Sequence, residues 1–249
     1  MSLAARLAVV LSLGVVASTT APAAADTTVV ALVASNAAQA FADIAAAYEK
    51  KHPGVKIAVS AAGSKVIVAQ LEQGAAADLI VVSTAFAEGS KSVESPVHVF
   101  ANHTVISAAK SGKVKAAKDM ATSGVRMASG TSGSVGAQIA DETLAKLAAQ
   151  FGADFPAKVK GNVGVTKTAL EQEQRAVEEG LADATIVFAA DADTGKTNVI
   201  ELGDKSVSVS YSAAVVKGSK NGGAAREILA LMASAEGQAI FKKHHHDTK

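Results

Sequence analysis

The stretch TTVVALVASNAAQAFADIAAAYEKKHPGVKIAVSAAGSKVIVAQLEQGAAADLIVVST, residues 27–84, alternates between two hydrophobic periods. It opens on a β-branched run, residues 27–35, read as a buried strand that ends on the small polar Ser35. From Asn36 the period is helical. Phe41, Ile44, Ala45 and Tyr48 share one face, and Pro53-Gly54 stops the run. Residues 55–61 read as a second strand. Gly63 then lets the backbone turn, Ser64 opens a second helix that closes at Gly74, and residues 77–84 form a third strand. This strand-helix-strand-helix-strand order predicts a parallel sheet with right-handed crossovers. Ligands of such sheets bind beyond the carboxyl ends of the strands, where Ser35 and Ser64 fall.

The same theme returns downstream. Residues 97–108 alternate like a strand, 125–130 form another, and a loop rich in hydroxyls and glycines, residues 131–137, leads into a helix through Ile139, Leu144 and Leu147. Residues 159–166, 168–179 and 184–192 read as strand, helix and strand. Residues 207–216 alternate again, and a helix over 222–243 closes the chain. Two extended segments, near 97–108 and 205–216, therefore join two α/β units. The expected architecture is α/β with two lobes, each a parallel or mixed sheet flanked by helices. Residues 26–85 and 217–249 form lobe 1, 86–204 form lobe 2, and 205–216 form the returning hinge strand. The ligand cleft lies between them.

Composition narrows the class. Hydrophobic residues make up 49% and charged residues 19%, a globular balance, and aromatics only 4%, so the core rests on Val, Ile, Leu and Ala. The leading segment carries Arg6, an apolar run over residues 7–17, and Ala23-Ala24-Ala25 before Asp26. That is the pattern of a secretory signal peptide over residues 1–25, and the run is shorter than the roughly 20 residues a membrane span needs. The expected location is the periplasm. Removing that segment takes one of the 24 basic residues and none of the 23 acidic ones, leaving a neutral chain. A neutral chain without a basic block is a poor partner for nucleic acid. The chain has no cysteine, so disulfides, thiol nucleophiles, thiolate metal sites and lipidation at cysteine are all excluded.

Ser35, Ser64 and the loop at 131–137 each stand at a helix start. Such a start presents unpaired N–H groups and about half a positive charge, so it binds oxyanions without lysine or arginine. The competing reading of each serine is an N-cap, worth about 1 kcal/mol. A serine hydrolase using the 131–137 loop is a weaker alternative, because GTSGSVG does not meet G-x-S-x-G and no histidine is placed as its base. The ADTGKT run ending at Thr197 lacks the first glycine of a P-loop, having Ala190 there. His244-His245-His246 reads as a solvated tail rather than a metal site, and Glu171, Glu173, Glu178 and Glu179 as a solvated helix face.

With these pieces placed, the chain resembles the periplasmic molybdate-binding proteins of ABC importers. The likeness is carried by VVALVASNAAQAFADIAAAYEKKHPGVKI, GSKVIVAQLEQGAAADLIVVST, EEGLADATIVFAADA and YSAAVVKGSKN through SAEGQAIFKK. It implies a two-lobe binding protein, not an enzyme, holding molybdate or tungstate with neutral donors in its cleft. It further implies no cofactor, a membrane permease as partner and a monomeric state. Sulfate, phosphate or another small anion is the nearer alternative. Matched by position, Ser35 and Ser64 supply hydroxyls, and Ala137 and Leu170 supply backbone amides. Phe188 falls where the family has a tyrosine whose hydroxyl reaches the anion. That missing donor is worth about 1.5–3 kcal/mol. Asn36, Ser132, Ser134 and Thr166 are candidates to replace it. Lys65, beside Ser64, stands where the family favours a small residue.

Overall fold

The computed structural model describes residues 27–192 and 194–248. The segment read as a signal peptide lies outside the described residues. The first unit is β1 (Thr27–Ala34), α1 (Ala38–Lys51), β2 (Val55–Ala62), α2 (Ser64–Glu72) and β3 (Leu79–Ser83). β1 pairs in parallel with both β2 and β3. After α3 (Thr84–Gly89) comes the long β4 (Val97–Ala109). The second unit is β5 (Met127–Gly130), α4 (Val135–Phe151), α5 (Phe155–Gly161), β6 (Val163–Lys167), α6 (Leu170–Glu178) and β7 (Ala184–Phe188). β5 pairs in parallel with both β6 and β7, repeating the plan of the first. β8 (Thr197–Ile200), β9 (Ser208–Val215), α7 (Gly222–Ala233) and α8 (Ala235–Lys243) complete the chain.

The sheet order is β2-β1-β3-β9-β4-β7-β5-β6, with β8 also against β4. β9 is antiparallel to both β3 and β4, and β4 is antiparallel to β7. β4 thus serves two partners in turn. Its residues 97–103 pair with β9 and its residues 104–108 with β7. The two extended segments anticipated from the sequence are β4 and β9, and they run side by side.

Burial follows the strand period. Val29, Ala31, Val33, Leu79 and Val81 meet Phe41 and Ile44 of α1, Ile228 and Met232 of α7, and Phe241 of α8. The alternate residues Leu32, Ile80 and Val82 meet Ile67 and Leu71 of α2. Both faces are covered, which is why these strands read as continuous apolar runs. A separate core gathers Ile106, Met120, Leu144, Leu147, Phe155 and Ile186 around α4. Among the described residues no helix is long and apolar enough to cross a membrane.

Five expectations need correction. Val159 belongs to α5 rather than to a strand, because Pro156 in its first turn starts a short helix that ends at Gly161. The closing helix is two helices, since Ser234 leaves the helical conformation and caps α8 by accepting from Gly237 N–H at 3.3 Å. The strand read over 184–192 ends at Phe188 and gives way to a 3-10 turn, Ala189–Asp191. Glu173 is no solvated residue: it is fully buried. Nor is the histidine run a free tail. Asp247 exchanges both backbone hydrogen bonds with Ala101 of β4, at 2.8 and 2.9 Å. His246 is buried against Phe100, 4.3 Å between ring centres, and burial pushes its pKa down to about 4. His103 sits between Asp247 at 2.9 Å and Glu201 at 3.0 Å. Burial works against its charge, but the two carboxylates prevail and hold it above the usual imidazole range.

Candidate functional site

The carboxyl ends of the first unit carry free donors. Ser35 opens a 3-10 turn, Ser35–Ala37, directly after β1 and is exposed. No side chain caps that turn. Its neighbour Asn36 donates from Nδ2 to the hydroxyl of Tyr211 at 2.7 Å. Ser64 is the first residue of α2, and its Oγ accepts the Ser83 N–H at 3.0 Å. With one lone pair so engaged, the Ser64 hydroxyl is free to donate its proton elsewhere. Ser83 stands opposite Tyr211 in the sheet, so Ser64 bonds β3 beside the residue of β9 that Asn36 bonds. Gly63 has φ −65° and ψ 143°, which any residue adopts. A Cβ there would meet nothing within 4 Å. Its role is therefore open space beside Ser64, not a turn only glycine can make.

In the second unit the start of α4 is closed by the chain itself. Ser134 caps α4 by accepting Ala137 N–H at 3.2 Å, so the amide expected to hold a ligand already has a partner. Gly130 permits this, because a Cβ there would lie 2.1 Å from Ser134 Oγ. Gly136, in the same first turn, leaves room for Glu173, whose Oε1 would lie 1.9 Å from an added Cβ. Ser132 and Ser134 face a concavity of about 600 Å³ that Ser129, Gln138, Asp141 and Glu142 also line. Neither Ser35 nor Ser64 lines it, so volume and expected chemistry part company. The donors at β1, α2 and β9 are the better guide, because Ser83, which Ser64 bonds, pairs with Tyr211, which Asn36 bonds. Leu170 begins α6 after Ala169, which offers no side-chain cap, and its side chain packs on Val105, Val187 and Ala189. Phe188 ends β7, buried opposite Thr104. Thr166, on β6, is exposed.

The units meet where the turn Ala189–Asp191 packs against the turn Ser35–Ala37. Here the sequence reading missed four residues. Asp191 Oδ2 is buried without a hydrogen-bond partner. Burial, then the charge of Glu171, pushes its pKa up to about 7. Glu173 is likewise pushed up to about 7 by burial and by Asp191, with Thr185 Oγ1 donating at 3.2 Å as a partial offset. Tyr211, buried and stacked on Phe100 at 4.8 Å, is held up at about 12 by burial and by the Asp191 charge against the pull of Asn36. Asn102, fully buried on β4, anchors the turn by accepting Ala190 N–H at 3.4 Å and leaves its Nδ2 unpaired. The signal for Asp191 was in FAADA beside Phe188. The signal for Tyr211 was a lone aromatic hydroxyl in an alternating strand. Among the described residues no group of three or more His, Asp or Glu side chains is close enough to hold a metal ion.

Sequence comparison with curated proteins finds no match. Among solved structures, a substrate-binding domain assigned to a molybdenum ABC transporter from Clostridium difficile superposes with TM-score 0.72 at 24% identity, covering 90% of this chain and 99% of that one. The periplasmic molybdate-binding protein of Azotobacter vinelandii gives TM-score 0.74 at 17% identity, covering 89% and 99%. A sulfate-binding protein of Mycobacterium tuberculosis gives 0.67 at 17%, covering 88% and 86%. At these identities the likeness establishes the fold. The family described as bacterial extracellular solute-binding protein matches residues 29–246, nearly the whole described chain, and this chain belongs to it.

Proposed function

We propose that this protein captures a tetrahedral oxyanion, molybdate or tungstate, between its two units and delivers it to the permease of an ABC importer. The carrying observation is Ser64: its Oγ accepts Ser83 N–H and its own proton is left for a ligand at the start of α2. Ser35, exposed at the uncapped turn after β1, is the second hydroxyl. The uncapped start of α6 at Leu170 adds backbone N–H groups from the other unit. Solved relatives in fold that are named for molybdenum and molybdate support this choice. Tyr211 is a candidate to supply the hydroxyl that Phe188 lacks, since its oxygen accepts from Asn36 and its own proton is left to donate. The protein acts by binding and closure, as an exported monomer whose residues 26–85 and 217–249 close on 86–204. A hydrolytic reading finds little support, because Ser134 is engaged as a cap and no histidine hydrogen-bonds Ser132 or Ser134 among the described residues.

The test is thermal unfolding of the purified chain with added anions. Molybdate and tungstate at about a hundred times their Kd should stabilise it by about 2.7 kcal/mol. Sulfate and phosphate at the same concentration should do far less. Ser64→Ala should remove most of the effect. No shift with any oxyanion would overturn the proposal.

A further inference from the structure

Two carboxylates, each fixed to a different unit, grip one imidazole. Asp247 belongs to the first unit. It exchanges both backbone hydrogen bonds with Ala101 of β4, and the residues before it are held as well. His246 lies against Phe100 and Phe241 of the first core, and His244 meets Asp43 of α1 at 3.0 Å. Glu201 belongs to the second unit, because its neighbours Ile200 and Leu202 sit in the core around α4. His103 of β4 stands between them. Its Nδ1 lies 2.9 Å from the Asp247 carboxylate and its Nε2 lies 3.0 Å from that of Glu201. His103 is also the last residue of β4 that pairs with β9, opposite Ser208, before β4 takes up β7 at Thr104. The imidazole therefore occupies the point where the chain crosses from one unit to the other.

Both ring nitrogens face carboxylate oxygens, so both are called on to donate, and only the imidazolium carries two N–H groups. A neutral ring keeps one and turns a lone pair towards the other carboxylate. The remaining charged groups nearby are engaged elsewhere. On β4 itself, His98 meets the Tyr211 carbonyl. On β9, the titratable Tyr211 bonds Asn36. Between β8 and β9, Asp204 pairs with Lys205, and Lys146 of α4 bonds the Ser206 carbonyl. β7 and β8 contain no titratable residue. In the tail, the charges of His244 and His245 act on His246. We propose that His103 is a pH-sensitive latch, which as imidazolium ties the tail of the first unit to the second unit and as neutral imidazole lets one of them go. Burial opposes its charge, but Asp247 and Glu201 hold its pKa above the usual 6.5. The tie is thus complete below 6.5 and is lost as pH rises through the higher folded value. Its bearing on capture rests on the reading of the cleft as an anion site, whereas the latch itself does not.

The chain has no cysteine, so introduced cysteines take spin labels at chosen places only. Gln70→Cys with Glu179→Cys, and Lys50→Cys with Lys118→Cys, each span the two units from exposed positions. Pulsed electron paramagnetic resonance on the purified, ligand-free chain reads both distances at about pH 6 and about pH 9. In at least one pair a second distance should gain population at the higher pH, by about twofold to fivefold, the range a partly exposed ion pair allows. Glu201→Gln removes only the grip of the second unit, from a side chain 67% exposed, and should show the high-pH distances at both pH values. His103→Gln, which keeps a single donor group, should do the same. Distances that stay constant with pH in both pairs would overturn the latch and leave the oxyanion reading standing. So would a pH response that survives in Glu201→Gln. Thermal unfolding exposes a purely structural role, in which His103→Gln lowers the melting temperature while both distances hold, and that result would also overturn the latch. Failure of every oxyanion to bind would overturn the oxyanion reading alone, since these distances are read without ligand.

Discussion

Asp78 and Asp191 are both buried carboxyl groups next to a strand, one in each unit, and the chain treats them in opposite ways. Asp78, just before β3, accepts from Val30 N–H at 2.8 Å, Ser219 Oγ at 2.6 Å and Asn221 Nδ2 at 3.1 Å. Burial raises its pKa, but these bonds outweigh burial and hold it below the usual carboxylate range. Asp191, just after β7, has an unpaired buried oxygen, and burial pushes it up to about 7. Asp78 knits β1, β3 and the segment before α7 together at the amino-terminal side of the sheet. Asp191 stands at the carboxyl ends, where this class of sheet binds ligands. A satisfied acid is a joint, whereas Asp191 keeps an oxygen that no described residue engages.

The sharpest way to break this contrast is to neutralise each acid. Asp78→Asn places an amide N–H against donors and should lower the unfolding free energy in urea by about 3 kcal/mol. Glu173→Gln, in the same starved cluster as Asp191, should act in the other direction. An acid whose folded pKa is raised contributes no penalty below its unfolded value and an increasing one up to its folded value. For Glu173 that window runs from 4.5 to about 7. The shift is worth about 3 kcal/mol at most, at about 1.4 kcal/mol per unit, so the variant should be stabilised by about 2 kcal/mol at pH 8 and not at all at pH 4. Chemical denaturation at the two pH values checks it. A loss at pH 8 would show that Glu173 is a structural acid like Asp78.

Glycines extend the comparison. Gly130→Ala drives a Cβ to 2.1 Å from Ser134 Oγ and 2.3 Å from Ala137 N, and should lose about 2 kcal/mol. Gly63→Ala meets nothing and has an ordinary φ, so it should leave stability unchanged or raise it by about 0.4–1 kcal/mol. Equal losses at both would mean that the first unit is as closed as the second. Ser134→Ala, which removes one helix cap, should cost about 1 kcal/mol in the same measurement.

The sequence made the strands and most helices legible because both faces of β1, β3 and β7 are covered, so each strand reads as an apolar run. Period and turn residues then report the structure directly. Its failures share a different cause. Glu173 looks solvated in LEQEQRAVE because nothing nearby reveals that Gly136, far away in the chain, leaves a space for its carboxyl. His246 looks like tail because the Phe100 it packs on belongs to a distant strand. The places of Ser35 and Ser64 were readable, since a helix start after a strand is a local feature. Asp191 was not, because an unpaired acid is defined by what fails to reach it, and that is fixed only when β4, β9 and α6 are in place.

The way β9 is inserted also carries a consequence in time. It lies between β3 and β4, so the first unit lacks its central antiparallel strand until residues 208–215 exist. The core around α4 draws only on residues between Ile106 and Leu202. As the chain is made from its amino terminus, the second unit can close as a continuous piece while the first still waits, its strand edge on β3 open. The region that begins the sequence is thus the last to be finished. Any delay in supplying β9 leaves that apolar edge exposed to other chains.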